Sequence, residues 1–135
     1  MADHFGFTKL LVTDLEVSSR FYSTVFGFEE HGRVQSQIAD RNIAEIIFKP
    51  DAPGASGFVL LHFEGVTSPS SDEVILGFVT DDLSELVRRV EGAGGTVTAP
   101  PRKMPEHGIT VAFVNDNEGH LIEVVEMLPR TDQPR

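Results

Sequence analysis

The residues best suited to chemistry form a short polar cluster late in the chain. The segment Arg102-Lys103-Met104-Pro105-Glu106-His107-Gly108 brings two cations, one carboxylate and one imidazole close together. Histidine titrates near neutral pH, so His107 could serve as a general acid or base. The simpler interpretation is a polar turn without chemistry, and the residues alone leave both open.

Two other histidines could also serve a site. His62 lies between Leu61 and Phe63 in an apolar run. Side chains alternate along a strand, so we expect His62 to point to the opposite face from these neighbours. His120 follows Gly119 in a polar stretch and is predicted to be a surface group. The chain has no cysteine, which excludes disulfides and thiolate ligands and limits any metal site to nitrogen and oxygen donors.

Length and charge restrict the class of protein. A chain of 135 residues with 40% hydrophobic residues is long enough for one domain with a single core. The formal net charge of −10 opposes binding to phosphate backbones and anionic membranes. No apolar stretch approaches the roughly 20 residues of a membrane span, and the first residues do not resemble a signal peptide. These features predict a cytoplasmic protein whose partners are neither nucleic acid nor membrane.

The elements that would position such residues follow a repeated order. The first half reads β-α-β-β-β, with a helix that Thr13 and Glu16 could cap and that Gly27 would end. Its strands are predicted at Phe5 to Thr13, Glu29 to Gln37, Asn42 to Phe48 and Gly57 to Phe63.

The second half repeats this order. Leu83, Leu86, Val87 and Val90 have helical spacing, and Asp82 with Glu85 could cap that helix. Turn residues between Asn115 and Gly119 predict a hairpin. The predicted strands are Glu73 to Asp81, Thr96 to Thr98, Ile109 to Val114 and His120 to Met127, with a proline-rich loop from Ala99 to Gly108.

Two pairs of matching sequence motifs relate the two halves of the chain at the same offset. Val12-Thr13-Asp14 matches Val79-Thr80-Asp81, and Gly27 matches Gly94, both at an offset of 67 residues. Such a duplication predicts an α+β fold of two tandem βαβββ modules. We expect one domain over residues 1–128, with module one at about 4–66 and module two at about 72–127, and a disordered tail at 129–135.

The motifs at the two ends of this pattern resemble those of the vicinal oxygen chelate superfamily, which includes glyoxalase, bleomycin-resistance and extradiol dioxygenase proteins. The opening resemblance lies in the strand and helix from Phe7 to Phe28, and the closing one in Asn115-Asp116-Asn117-Glu118-Gly119-His120-Leu121-Ile122-Glu123. The resemblance implies curved mixed sheets that enclose a cleft, with the helices outside, and frequent homodimers. Metal-dependent members place one ligand on the first and last strand of each module.

Transferred to this sequence, those four ligand positions fall on Phe7, Leu61, Val74 and Glu123. Only Glu123 has a ligand-type side chain, and one carboxylate cannot hold a catalytic divalent ion firmly. We therefore expect no cofactor, with a divalent metal as the alternative and Glu123 as a weak metal candidate. Glu123 could instead be a hydrogen-bonded residue of the strand, or a proton-transfer group whose pKa is raised by burial.

Apolar residues at ligand positions suit the capture of an apolar or aromatic small molecule. The residues expected to contact it are Phe7, Leu61, Phe63, Val74 and Arg102. The alternative is a lyase or isomerase of the glyoxalase type, either with an atypical metal site or metal-free with Glu123 and His107 as catalytic residues for proton transfer. A ring-cleaving dioxygenase is disfavoured, because that chemistry needs two histidines and a carboxylate on iron. An interaction domain without a small ligand is the third possibility.

Overall fold

The computed structural model describes residues 5–50, 54–68 and 73–129. The chain divides into two compact units, residues 1–70 and residues 71–135. Each unit contains one helix and four strands in the order βαβββ, so the predicted α+β class with two tandem modules is confirmed. Of the predicted tail, residues 130–135 lie outside the described part of the chain.

Unit 1 is a mixed four-stranded sheet with one helix. The strand order is β1-β4-β3-β2, with β1 parallel to β4 and the other pairs antiparallel. The elements are β1 Phe7–Leu11, α1 Leu15–Phe26, β2 Glu30–Ile38, β3 Arg41–Phe48 and β4 Gly57–Phe63.

Helix α1 packs on one face of this sheet, against β3 and β4. Interlocking aromatic rings fill the space between them, with centroids 5.2 to 6.5 Å apart, which is the usual range for aromatic pairs. The rings belong to Phe21, Tyr22, Phe26, Phe28, Phe48 and Phe58. The opposite side of the sheet is called the helix-free face of unit 1 below.

Unit 2 repeats the arrangement with an aliphatic core. Helix α2 contacts β6, β7 and β8 and buries Leu83, Leu86 and Val90. The strand order is β5-β8-β7-β6, with β5 parallel to β8. The elements are β5 Leu76–Val79, α2 Leu83–Gly92, β6 Thr96–Met104, β7 Ile109–Asn115 and β8 Leu121–Met127, with a turn of 3-10 helix at Pro105–His107.

The prediction of a loop from Ala99 to Gly108 is wrong for most of its length. Strand β6 continues through Pro100 and Pro101 to Met104. The register shifts between Ala99 and Arg102, and β6 is an edge strand of its sheet. Proline cannot donate a backbone hydrogen bond, and edges and bulges are where a strand tolerates this loss.

The helix starts also differ from the sequence prediction in unit 1. Asp14, not Thr13, caps α1, because its Oδ1 accepts a hydrogen bond from Val17 N at 3.1 Å. Asp82 caps α2 as predicted, and accepts from Glu85 N at 3.1 Å. A carboxylate at this position satisfies a backbone donor and suits the positive end of the helix dipole.

The repeat register is one residue off the predicted offset at the first strands. Val12 N donates to Leu61 O, whereas Thr80 N donates to Val125 O, so Val12 corresponds to Thr80 and not to Val79. The helix ends keep the predicted match, since Gly27 and Gly94 both have left-handed φ values, of 73° and 96°. The segment from the N-cap aspartate to this glycine is therefore one residue shorter in unit 2, and α2 itself has 10 residues against 12 in α1.

This register changes two correspondences between the units. The residue equivalent to Phe7 becomes Ile75, next to Val74. The residue equivalent to Glu123 becomes Val59, two residues before Leu61. Ile75 and Val59 are both apolar, like Val74 and Leu61, which the sequence analysis placed at these positions.

Within the described part of the chain, no helix is both long and apolar enough to span a bilayer.

Candidate functional site

The helix-free face of unit 1 carries most of the predicted ligand contacts. Cross-strand partners share a face, so the pairing of Leu11 with Leu61, and of Leu61 with Glu45, defines its members. The residues of the three strands on this face are Phe7, Lys9 and Leu11 on β1, Val59, Leu61 and Phe63 on β4, and Arg41, Ile43, Glu45 and Ile47 on β3.

Three of the five predicted contact residues therefore lie together. Phe7, Leu61 and Phe63 share this face. Phe7 is 58% exposed and Leu11 is 45% exposed, while Leu61 and Val59 are buried. Apolar side chains thus offer contact area to a ligand on a base of buried apolar residues.

One ion pair interrupts the apolar surface. Lys9 Nζ lies 2.6 Å from Glu45 Oε2, and the Glu45 side chain is only 9% exposed. Lys9 Nζ also lies 5.7 Å from the centroid of the Phe7 ring. The lysine neutralises a buried carboxylate that would otherwise be costly on this face.

A second cation lies at the far end of the same face. The guanidinium of Arg41 stacks on Phe63, with Cζ 3.7 Å from the ring centroid. Beside it is a small cavity of about 90 Å³, lined by Leu11, Val12, Thr13, Arg41, Phe63, Val66 and Ser68. Sequence reasoning missed Arg41, although it alternates with Ile43 and Glu45 and so shares their face.

Glu123 lies on the helix-free face of unit 2. It pairs with Phe113 on β7 and with Gly77 on β5, and it is half-buried. A Cβ added at Gly77 would meet nothing within 4 Å, so there is open space next to the carboxylate. No described residue gives the Glu123 carboxylate a hydrogen bond or an ion pair. A half-buried carboxylate without such a partner can bind a polar group of a ligand or move a proton.

The structure does not bring His107 to Glu123. His107 lies in the 3-10 turn before Ile109, which pairs with Met127, whereas Glu123 pairs with Phe113. Four residues of strand separate these two levels, or about 13 Å at the usual rise. The exposed His107 side chain is therefore near the opposite end of the β7–β8 hairpin.

The remaining two predicted contact residues, Arg102 and Val74, belong to unit 2. Arg102 pairs with Val111 and shares the face of Glu123. It is exposed, and its Nη2 lies 3.7 Å from Met104 Sδ. Val74 lies outside β5 and is 53% exposed. Its ligand role stays a prediction.

The predicted orientation of His62 agrees with the structure, whereas the predicted position of His120 does not. His62 points away from Leu61 as predicted, and its Nδ1 lies 3.0 Å from Val12 O. The surface prediction for His120 is wrong, because His120 is 3% exposed. Its Nδ1 lies 2.8 Å from Oδ2 of the buried Asp116, whose Oδ1 also accepts from the backbone of Glu118 and His120. The short turn folds His120 back over Asp116, which local polarity could not indicate.

The charged group with the clearest pKa shifts lies on the helix side of unit 1, away from these contacts. Arg33 donates hydrogen bonds to the carboxylates of Glu16 and Glu30. These bonds from Arg33 lower the pKa of both glutamates and raise that of the arginine. The cluster connects β2 to α1.

The donor set does not fit the divalent-metal site that the resemblance implies. The residues at the corresponding positions are Phe7, Val59, Ile75 and Glu123, and only the last can donate to a metal. Across residues 5–50, 54–68 and 73–129, no three His, Asp or Glu side chains are grouped so that they could hold an ion. Absence of a bound metal stays a prediction that rests on these side chains.

Comparison with known proteins places the chain in a family. The model of the Glyoxalase/Bleomycin resistance protein/Dioxygenase superfamily matches residues 2–124. A lactoylglutathione lyase from Arabidopsis thaliana is 33% identical over 134 residues, which cover 91% of this chain and 44% of that protein. A probable lactoylglutathione lyase from Vibrio cholerae is 26% identical over 121 residues, covering 88% of this chain and 87% of that protein. The chain thus spans less than half the length of its plant relative.

Solved structures show the same fold. A glyoxalase family protein from Bacillus cereus superimposes with a TM-score of 0.79 at 15% identity, covering 96% of this chain and 97% of that one. A glyoxalase-related enzyme from Fulvimarina pelagi gives 0.66 at 26% identity, covering 93% and 88%. With its two βαβββ modules and a family model that covers nearly all of its length, this chain belongs to the glyoxalase/bleomycin resistance protein/dioxygenase superfamily.

Proposed function

We propose that this protein binds an apolar or aromatic small molecule, and that it does so without a divalent metal. The observation that carries the proposal is the composition of the helix-free face of unit 1. Phe7 and Leu11 are exposed there on the strand next to buried Val59 and Leu61. Ligand sites of this kind combine a mainly apolar lining with a few polar groups that orient the ligand.

The residue types at the family's ligand positions support the metal-free part of the proposal. A catalytic zinc or similar ion needs about three protein ligands and an open position. Phe7, Val59 and Ile75 offer none, so Glu123 alone would compete with water for the ion. Phe7, Val59 and Ile75 instead provide apolar surface for contact with a ligand.

The polar groups on the helix-free face of unit 1 are few. They are Lys9, held by Glu45, and Arg41, held on Phe63. In unit 2, taken by itself, Glu123 and Arg102 share one face. We retain Val74 as a contact residue in the proposal, with Ile75 beside it.

Binding of a neutral fluorescent probe tests this proposal. N-phenylnaphthylamine should bind saturably to the wild-type protein, with enhanced emission. Leu11→Gln should raise its Kd about fivefold, because one apolar contact is lost. Val17→Gln is the matched control, since Val17 is 38% exposed but lies on α1. Absence of saturable binding, or equal loss in both variants, would reject the proposal.

A second candidate function is a metal-free lyase or isomerase of the glyoxalase type. The favouring observation is the half-buried Glu123 with open space at Gly77 and no partner among the described residues. The lactoylglutathione lyases from Arabidopsis thaliana and Vibrio cholerae suggest lactoylglutathione as the compound to assay. Glu123→Gln should abolish turnover while Glu91→Gln, on α2, should retain it. Activity that survives Glu123→Gln would eliminate this candidate, as would activity equally reduced by both changes.

We also propose that the protein forms a homodimer. Superfamily members often do, and Val79 and Met127 on the helix-free side of unit 2 are 72% and 57% exposed. Light scattering on the eluting protein should give twice the mass of 14.8 kDa. A mass of one chain at micromolar concentration would contradict the dimer.

A further inference from the structure

We infer that the ligand carries an anionic oxygen group, such as a carboxylate or sulfonate, and that Arg41 binds it. The inference rests on the proposed function and specifies the ligand class for the same face. Arg41 lies on the helix-free face of unit 1, beyond Ile43 and diagonal to Phe63. It thus marks one end of the apolar surface that begins at Phe7.

The arginine is held in place before any ligand arrives. Its guanidinium lies 3.7 Å above the Phe63 ring, a stacking distance that restricts the side chain. The turn before it is also rigid, because Ile38 pairs directly with Arg41 across only two residues. A planar cation fixed by stacking still presents its edge, and that edge carries the donors that match a carboxylate in bidentate fashion.

Arg41 differs in its partners from three of the other arginines. Arg33, Arg88 and Arg89 each pair with a glutamate. Within the described part of the chain, no carboxylate lies within ion-pair distance of Arg41. In a protein with a formal net charge of −10, an arginine left without a carboxylate is available to an anion from outside.

The surroundings of Arg41 suit an acid attached to an apolar body. The adjacent cavity of about 90 Å³ has room for a small group, and Leu11, Phe63 and Val66 supply its apolar lining. The other cation on this face, Lys9, is already paired with Glu45. Arg41 is therefore the single uncompensated charge among the described residues of the helix-free face of unit 1.

Two probes with one ring system separate the anion from the apolar body. Anilinonaphthalene sulfonate carries a sulfonate, whereas N-phenylnaphthylamine has the same rings without it. Titration of the full-length wild type with each probe should give a lower Kd for the sulfonate. Arg41→Met should raise the Kd of the sulfonate about tenfold, or about 1.4 kcal/mol, and leave that of the neutral probe within about twofold.

Arg88→Met is the matched control, because it removes one positive charge from the exposed surface of α2. It should change neither Kd. Arg41→Glu, compared with Arg88→Glu, gives a second test with a larger expected loss of sulfonate binding. Melting curves confirm that the variants are folded.

The outcomes distinguish the inference from the proposed function. If the neutral probe binds but Arg41→Met leaves sulfonate affinity unchanged, the inference is wrong and the binding proposal stands. The inference is equally wrong if Arg88→Met weakens the sulfonate as much, since the effect would then come from net charge. If neither probe binds the wild type, the proposed function itself is rejected.

Discussion

The amino group of Lys9 lies 2.6 Å from the carboxylate of Glu45, on a sheet face whose other central residues are apolar. Glu45 pairs across the strands with Leu61. A carboxylate thus occupies the middle of the proposed binding surface, but its charge is compensated within the same unit. The face can therefore receive an apolar molecule without leaving an isolated buried charge.

Removing Lys9 should destabilise the protein. Lys9→Met leaves the Glu45 carboxylate buried without its cation, at a cost of about 2 kcal/mol in the free energy of unfolding. The double variant Lys9→Met with Glu45→Met should recover most of this loss, because both charges are then absent. Urea denaturation measures the free energy of unfolding of the single and the double variant. Lys49→Met is the control, since the Lys49–Glu29 pair is largely exposed and should contribute less than about 1 kcal/mol.

The turn before Arg41 carries local backbone strain. Ala39 has a φ of 56°, in the left-handed region that disfavours a residue with a Cβ. Ala39→Gly should raise the free energy of unfolding by about 0.5 to 1 kcal/mol. Ala44→Gly, in strand β3, should lower it instead. If thermal melts show that both variants are less stable than the wild type, the turn is not strained.

The Arg33 cluster predicts a pH dependence of stability. Hydrogen bonds from Arg33 lower the pKa of Glu16 and Glu30 in the folded state, so these carboxylates stabilise the fold while ionised. Their contribution is complete above the unfolded pKa of about 4.3 and is lost as the pH falls through the lower folded values. Arg33→Met should therefore melt earlier than wild type at pH 7, and the difference should shrink below about pH 4. Added salt should reduce this difference in melting temperature at pH 7. A difference that does not change with pH would contradict an origin in the ionised Glu16 and Glu30.

The buried turn of unit 2 depends on one carboxylate. Oxygens of Asp116 accept hydrogen bonds from the backbone of Glu118 and His120 and from His120 Nδ1. Asp116→Ala should cost about 2 to 3 kcal/mol, since buried donors lose their acceptor. Asp116→Asn keeps one acceptor oxygen and should cost less. Equal losses in chemical denaturation would mean that packing, not hydrogen bonding, explains the effect.

The fold could be predicted from sequence to a large extent because the duplication repeats strong local signals. Gly27 and Gly94 mark the two helix ends, and Asp82 caps its helix as predicted. Strand β6 escaped prediction since Pro100 and Pro101 usually indicate a loop, and only its edge position makes a strand acceptable. Local sequence does not reveal which strand will lie at an edge.

The candidate site was less predictable. Phe7 and Leu61 were expected in one site because they fall on ligand positions of the family that the sequence resembles, and they lie with Phe63 on one face. Arg41 was missed because its role depends on stacking across strands, and His120 because a four-residue turn decides its burial. The segment from the helix N-cap to the left-handed glycine is one residue shorter in unit 2, so the equivalent of Phe7 is Ile75 and not Val74, and no single-sequence pattern contains that length difference.

Metal analysis of the full-length protein, purified without chelators, tests the central claim most directly. We predict far less than one divalent ion per chain, and a melting temperature that neither a chelator nor added zinc, nickel or manganese changes by more than about 1 °C. One tightly held ion per chain, whose removal by chelator causes a large fall in melting temperature, would contradict the proposal that apolar side chains replace the metal site.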